Sequence, residues 1–208
     1  MKSQRKDVTS TRGKGTRKGR LSRSDPQVTV VLHSFTGGFL SGGTTGGEAG
    51  SYVTLNSLAG YADWVSTWDQ YRFRKITWTL IPNANLQSLK ASTAADAYVP
   101  PLFTVIDRDD GAAPSSYSNL LEYSQLKVTR GTEIISRSIS DPQASLAAYN
   151  GSFGGYAQSE PGQWFDCASP AVQFYGFKCA TYPDGASQTV HQGYDLHIEV
   201  LVEFRFTH

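Results

Sequence analysis

The amino-acid sequence predicts an all-β protein: a single eight-stranded antiparallel jelly roll, built as a β-sandwich, that follows a disordered basic arm. Three observations support this prediction. The charge is split between the first 25 residues and the rest, the body contains about eight apolar runs separated by Gly, Pro, Asn and Ser, and the last run alternates apolar and polar side chains over thirteen residues. Alternation with a period of two is typical of an antiparallel strand with one buried face.

The basic arm comprises residues 1–25. It holds nine basic and two acidic side chains, so the totals of 19 and 18 leave 10 basic and 16 acidic residues for the body. An arm of charge +7 therefore precedes a body of about −6. The arm has no aromatic residue and only three sizeable apolar ones, too few to offset the entropy lost on ordering. We expect a disordered arm and one folded domain over residues 26–208.

The strands of this domain follow one another with few helices between them. The final candidate is the clearest, and the third shifts the parity of its apolar side chains between Phe73 and Ile76, which predicts a β-bulge near Arg74 and Lys75. The eight candidates are residues 27–35, 51–57, 72–81, 102–108, 126–130, 132–139, 171–182 and 194–206.

Two short helices are predicted in the loops. Residues 56–68 carry an apolar stripe of helical period after an N-cap at Asn56 or Ser57. Residues 114–123 begin with Pro114 and fit one or two helical turns.

The number of strands leaves the topology open. Eight strands favour a jelly roll, and an immunoglobulin-like sandwich is the alternative. The glycine-rich residues 36–50 and the segment 141–170 are predicted as loops too long for hairpin turns. Loops of that length are more often functional or interfacial than idle.

Catalytic motifs are not recognisable in the sequence, so we expect no enzyme. The four histidines are scattered, and no nucleophile elbow, HExxH or phosphate-binding loop is present. Cys167 and Cys179 cannot form a four-ligand zinc site by themselves and are predicted to be reduced core thiols. The absence of a secretory signal and of an 18-residue apolar run predicts a soluble protein that is made inside a cell and has no membrane partner.

Acidic residues cluster after the fourth strand candidate. Asp107, Asp109 and Asp110 resemble the opening of a calcium loop, because hard cations prefer carboxylate oxygens. The full EF-hand pattern fails, since the twelfth position from Asp107 is Ser118 instead of a glutamate. The alternative is an acidic turn that caps a helix or pairs with Arg108.

Aromatic residues are concentrated between positions 64 and 78. Arg72, Arg74 and Lys75 lie among them, so stacking on nucleic-acid bases is one interpretation. A hydrophobic core or a subunit contact is the other, because aromatic side chains dominate both. The candidates for a subunit interface are Trp64, Trp68 and Tyr71.

The arm has the composition that phosphate neutralisation requires. Flexible cations release counterions when they bind a polyanion, which makes such binding strong, salt-dependent and largely independent of sequence. A nuclear import signal is the alternative, and one segment can serve both purposes. The predicted nucleic-acid-binding residues are Lys2, Arg5, Lys6, Arg12, Lys14, Arg17, Lys18, Arg20 and Arg23.

Two blocks of the body resemble a known family. WDQYRFRKITWTLIPNAN and PPLFTVIDRDDGAAPSSYSNLLEYSQLKVTRGT, about a quarter of the chain, are similar to the capsid proteins of small circular Rep-encoding single-stranded DNA viruses. The same single jelly roll occurs in capsids of the satellite tobacco necrosis virus type. The resemblance implies assembly instead of catalysis, and calcium between subunits in some relatives.

The resemblance leads to a functional prediction. We expect residues 26–208 to form a shell domain that assembles with copies of itself into a small icosahedral, T=1 capsid. Residues 1–25 would package a single-stranded genome, DNA favoured over RNA, in a virion assembled in the host nucleus. The alternative is a cellular β-sandwich module that binds nucleic acid or carbohydrate and carries a basic import tail.

Overall fold

A computed structural model describes residues 26–43, 46–83, 99–149, 154–183 and 192–207, without the side chains of residues 146–149 and 154–157. The nine predicted cations of the arm lie outside the described residues. The described strands are β1 (Gln27–Ser41), β2 (Glu48–Val53), β3 (Gln70–Pro82), β4 (Leu102–Val105), β5 (Lys127–Thr129), β6 (Ile135–Ser140), β7 (Ala144–Tyr149), β8 (Gly154–Gln158), β9 (Phe165–Asp166), β10 (Gln173–Thr181) and β11 (Gly193–Arg205). A 3₁₀ turn (Leu55–Ser57) and the helices α1 (Tyr61–Val65) and α2 (Tyr117–Leu120) lie between strands.

The strands form two antiparallel sheets. Sheet A has the order β1-β11-β3-β6, and sheet B contains β2, β10, β4 and β5 in neighbouring positions. The pairs are nested along the chain, because β1 pairs with β11, β2 with β10, β3 with β6 and β4 with β5. Nested pairing of eight strands in two sheets is the predicted jelly roll. Strand β9 extends sheet A, and the β7–β8 hairpin extends sheet B.

The core lies between the two sheets. Every second side chain of β11 from Tyr194 to Phe204 is buried there, as the alternation predicts. Trp78 of β3 is fully buried and stacks on Phe177 of β10, with ring centroids 6.0 Å apart. Gly176 makes room for the indole, since a Cβ at that position would come within 2.6 Å of the Trp78 ring. Cys167 and Cys179 are buried free thiols, which confirms that prediction.

The predicted bulge in β3 is present. Lys75 lies opposite Leu201 and Phe73 lies opposite Val202, so Arg74 is the extra residue. A bulge turns its side chain out of the regular alternation. Arg74 consequently faces Asp141, which it contacts through a 2.7 Å ion pair.

The glycine-rich loop is shorter than predicted. Strand β1 continues to Ser41 and β2 begins at Glu48, so most of residues 36–50 is strand. The glycines are absorbed by a register shift between Thr36 and Leu40, where Gly38 has a φ of +62°. The Gly38 amide donates a 2.8 Å hydrogen bond to Asp195, which holds this irregular segment on sheet A.

The predicted strand 51–57 ends early, at Val53. Its second half is the 3₁₀ turn, where the Ser57 hydroxyl donates to the Thr54 carbonyl at 2.7 Å and accepts the Thr54 amide at 3.3 Å. Such local hydrogen bonds of Ser and Thr compete with strand pairing.

Both helix starts are predicted wrongly. Helix α1 begins only at Tyr61, because Gly60 has a left-handed φ of +75° and is the N-cap in place of Asn56 or Ser57. Helix α2 begins at Tyr117 after Ser116, so Pro114 precedes the helix.

The segment 141–170 is not one long loop. It contains β7, β8 and β9, all missed by the sequence analysis. Strands β7 and β8 are rich in Ala, Gly and Ser, so backbone pairing builds them without an apolar pattern. Within the described residues, no helix is long and apolar enough to cross a membrane.

Candidate assembly surfaces

The arm joins the domain at one end of sheet A. Gln27, the first residue of β1, lies opposite Arg205 at the end of β11, and Arg205 lies opposite Gln70 at the start of β3. Gln70 in turn lies opposite Asp166 of β9. This row of four strands defines the end of sheet A at which β1 begins.

Two of the predicted interface residues cover this same end. Trp64 in α1 stacks on Phe204 at a centroid separation of 5.5 Å, and Trp68 stacks on Phe206 at 4.4 Å. Both indoles are half-buried. They close the end of the core and keep an exposed surface, so a subunit contact at Trp64 and Trp68 stays a prediction.

Tyr71 is a core residue, which corrects the interface prediction for this position. Its side chain is fully buried, packs on Phe73 and Phe165, and donates a 3.0 Å hydrogen bond to the carbonyl of Ser169. A side chain with no exposed surface cannot contact a neighbouring subunit. Burial also raises the pKa of its phenol, so Tyr71 stays neutral at physiological pH.

A groove of about 550 Å³ opens beside Trp68, and we call it the end groove. Apolar side chains form part of it, and the carboxylates of Asp69 and Asp166 give it negative charge. Asp69 accepts hydrogen bonds from the amide and hydroxyl of Thr207, at 2.8 and 3.2 Å, and Asp166 accepts the Ala168 amide at 2.8 Å. The lining residues are Val65, Trp68, Asp69, Gln70, Asp166, Cys167, Ala168 and Thr207.

The carboxylates of the end groove also affect the pKa of the Cys167 thiol. Its pKa is raised to about 11, first by burial and then by the charges of Asp166 and Asp69. A neighbouring negative charge disfavours the thiolate, which is why the carboxylates act in the same direction as burial.

The acidic cluster surrounds a lysine on the outer side of sheet B. The ammonium of Lys178 lies 2.8 Å from Asp107 and 2.7 Å from Asp110. Tyr123 donates a 2.7 Å hydrogen bond to the same oxygen of Asp107, and the Asp109 amide donates to its other oxygen at 2.9 Å. The Lys178 and Asp107 side chains are 7% and 5% exposed, so this is a buried ion pair with an exposed second carboxylate.

Both members of the buried pair stay charged. Burial alone would raise the pKa of Asp107, but the hydrogen bonds from Lys178, Asp109 and Tyr123 outweigh it, and the pKa is lowered. Burial alone would lower the pKa of Lys178, but the hydrogen bonds to Asp107 and Asp110 outweigh it, and that pKa is raised. The two directions agree, as an ion pair requires.

Each of the three predicted calcium ligands contacts another side chain in the structure. The Lys178 ammonium lies between Asp107 and Asp110, and Asp109 instead accepts a 2.9 Å hydrogen bond from Gln158. Among the described residues, no three His, Cys, Asp or Glu side chains are arranged to hold a metal ion. Calcium at Asp107, Asp109 and Asp110 therefore stays a prediction, and any such site needs ligands from elsewhere.

The exposed face of sheet A carries an ionic network. Arg72 pairs with Glu203 at 2.6 Å, and Arg74 connects Glu203 to Asp141. Trp164 lies between two guanidinium groups, 4.3 Å from Arg72 and 4.2 Å from Arg205. Arg72 and Arg74, which a base-stacking site would need, therefore contact other side chains of the domain. The contacts of Trp164 hold the β8–β9 connection on sheet A.

Comparison with known proteins decides which of the predicted functions applies. The family model for the circovirus capsid protein matches residues 4–206. The chain belongs to this family. No curated protein sequence matches the chain.

Solved structures show the same fold for this capsid protein. The BFDV capsid protein as a 60-mer gives a TM-score of 0.59 at 12% identity, over 88% of this chain and 95% of that one. The decameric BFDV capsid protein gives 0.54 at 13% identity, over 86% and 99%. The Cucumber Necrosis Virus structure gives 0.54 at 12% identity, over 88% of this chain and 57% of that one.

Family membership identifies the protein as a viral capsid protein and confirms the predicted resemblance. The match begins at residue 4, so it includes the arm as well as the jelly roll. Membership of this family excludes the alternative of a cellular β-sandwich module with an import tail. The features that sequence analysis missed in this capsid protein are Lys178, Trp164 and the end groove, each of which is built by residues distant in sequence.

Proposed function

We propose that the circovirus-type capsid protein assembles into a closed icosahedral T=1 shell of sixty copies and serves a structural role, not a catalytic one. The observation that supports this most strongly is the joint match of arm and jelly roll to the capsid family. The 60-mer of the BFDV capsid protein supports the number of copies. Closed shells need heterologous contacts between identical subunits, and the exposed parts of Trp64 and Trp68 are proposed to supply one of them.

The arm is proposed to package the genome. The nine cations precede Gln27, which lies at one end of sheet A, while the body carries a charge of about −6 and does not compete for phosphate. Neutralisation of the arm by a polyanion removes the repulsion between arms, which couples packaging to shell closure. We propose a single-stranded genome, DNA favoured over RNA, packaged in a virion that is assembled in the host nucleus after import through the same basic segment.

Calcium between subunits is a separate part of the proposal. Asp109 and Asp110 are exposed and retain acceptor oxygens, so a neighbouring copy would complete the site. Chelation of calcium from assembled particles would lower their melting temperature if the site exists. A melting temperature that does not change on chelation would exclude it.

Deletion of residues 2–23 tests the packaging role. We expect the truncated protein to keep its circular dichroism spectrum and melting temperature, because the jelly roll begins at Gln27, and to lose most of its nuclease-protected nucleic acid. A variant whose arm has the same residues in scrambled order is the matched control and should package normally, since charge and not sequence binds phosphate.

Two results would contradict this role. Undiminished nuclease-protected nucleic acid in the truncated protein would show that the arm is not required. Failure of the scrambled arm alone would show that its sequence, and not its charge, is what matters.

A further inference from the structure

The end groove lies next to the point where the arm leaves the domain. Because β1 and β11 are antiparallel, Gln27 at the start of β1 lies at the same end of sheet A as Thr207, which follows β11 and lines the groove. Three ladder steps lead from Gln27 through Arg205 and Gln70 to Asp166, and each step is roughly 4.8 Å. The far wall of the groove is therefore about 14 Å from Gln27.

The last cation of the arm can reach that distance. Arg23 is four residues before Gln27, and four extended residues span up to about 14 Å before the side chain adds its own length. Arg20 also reaches the groove, but it must order three more residues, and the entropic cost rises with each. Arg23 is thus the cation with the highest effective concentration at the groove among the nine.

The groove has the chemistry that a guanidinium group requires. Asp69 and Asp166 line it, and an ionised carboxylate has more acceptor sites than the hydrogen bonds from Thr207 and Ala168 use. Trp68 supplies a half-buried aromatic ring in the same groove, and arginine stacks on such rings. Carboxylate pairs beside an aromatic ring favour arginine over lysine, because its planar fork can satisfy both contacts.

We propose that the end groove binds the side chain of Arg23 from the same chain and so anchors the last residues of the arm at this end of sheet A. Arg23 then differs from the other eight cations of the arm: it fixes where the arm begins and is withheld from phosphate. Anchoring shortens the free segment to residues 1–22 and directs it from a defined point. This contact does not depend on packaging, since it requires no nucleic acid.

Trypsin cleavage of the full-length protein tests the proposal. The protein is freed of nucleic acid and digested briefly at about 50 mM salt, and mass spectrometry gives the rate of cleavage after Arg23 relative to cleavage after Arg20. We expect Asp166→Asn to raise this ratio about fivefold, because it removes one of the two negative charges of the groove while its side-chain oxygen can still accept the Ala168 amide. The same rise is expected in the unsubstituted protein at 500 mM salt.

Glu199→Gln is the matched control. It removes one negative charge from the exposed face of sheet A, six residues along β11 from Arg205 and thus about 20 Å away, and should leave the ratio unchanged.

Three outcomes would overturn the proposal. An unchanged ratio in Asp166→Asn would show that the groove does not hold Arg23. An equal rise in Glu199→Gln would show a general charge effect. Protection that is lost on dilution of the protein would show that the groove holds the arm of another copy. Each of these three results could occur together with a loss of packaging on deletion of the arm. The proposed anchor can therefore be wrong while the packaging role is right.

Discussion

Lys178 shows how a single side chain determines the local structure of the acidic turn. It is the one basic residue in the apolar run QFYGFKCAT, and a buried cation in such a run requires a carboxylate partner. The sequence does contain that signal, but it does not indicate which of the 18 acidic residues is the partner. The structure selects Asp107 and Asp110, and so ties the segment after β4 to the outer side of sheet B.

Substitution Lys178→Met tests this ion pair. We expect a loss of about 3–5 kcal/mol in the free energy of unfolding near neutral pH, because Asp107 would remain buried and charged without its partner. Denaturant unfolding measures the loss. Lys127→Met, at an exposed position of β5, is the matched control and should cost less than about 0.5 kcal/mol.

The cost of Lys178→Met should depend on pH. The pKa of Asp107 is lowered in the folded state, so the pair contributes fully above the ordinary aspartate value of about 3.9 and loses its contribution as pH falls through the folded pKa. The pKa of Lys178 is raised, so the contribution is complete below about 10.4 and is lost as pH rises through the folded pKa. A cost that stays constant from pH 3 to pH 11 would contradict the ion-pair account.

Gly176 is a second position where one residue decides the packing. We expect Gly176→Ala to destabilise the domain by about 1–3 kcal/mol, because its Cβ would come within 2.6 Å of the fully buried Trp78 ring. Thermal unfolding measures the effect. Gly37→Ala meets only an ordinary 3.8 Å contact with Asp195 and should be nearly neutral, and equal effects of the two substitutions would contradict the packing explanation.

At the scale of elements, sequence predicts those strands whose side chains carry a pattern. The alternation of β11 and the parity shift in β3 are read directly from apolar residues, and the bulge lies at Arg74 as predicted. Strands β7 and β8 carry no such pattern in their sequences, ASLAAY and GGYAQ, and backbone pairing defines them. The predicted starts of both helices are wrong. The first helix begins late because Gly60 has a left-handed backbone conformation.

Helix α1 and the turn after it place Trp64 and Trp68 at the end of sheet A, and this element is expected to take part in assembly. Trp68→Ala should raise the protein concentration needed for shell formation by at least tenfold, because truncation of an aromatic hot spot at an interface costs about 2 kcal/mol or more. Light scattering across a concentration series measures this threshold.

Trp68→Phe is the matched variant, since it keeps an aromatic ring on Phe206 and should assemble more readily than Trp68→Ala. If Trp68→Ala assembles at the concentration of the unsubstituted protein, Trp68 does not lie in a subunit interface.

The whole molecule combines a +7 arm with a jelly roll of charge about −6. Sequence alone predicts this division and the capsid resemblance, because charge and motif blocks are properties of contiguous residues. It cannot predict the end groove, which is assembled from α1, β3, β9 and the chain end. Gln27, where the arm joins the domain, lies at the same end of sheet A as the groove only because β1 and β11 pair.

Electron microscopy of the purified full-length protein, over a series of salt and protein concentrations, tests the central claim most directly. The account predicts uniform closed particles with a diameter on the order of 20 nm, as expected for a small closed shell of such domains. Monomers at every salt and protein concentration would contradict it.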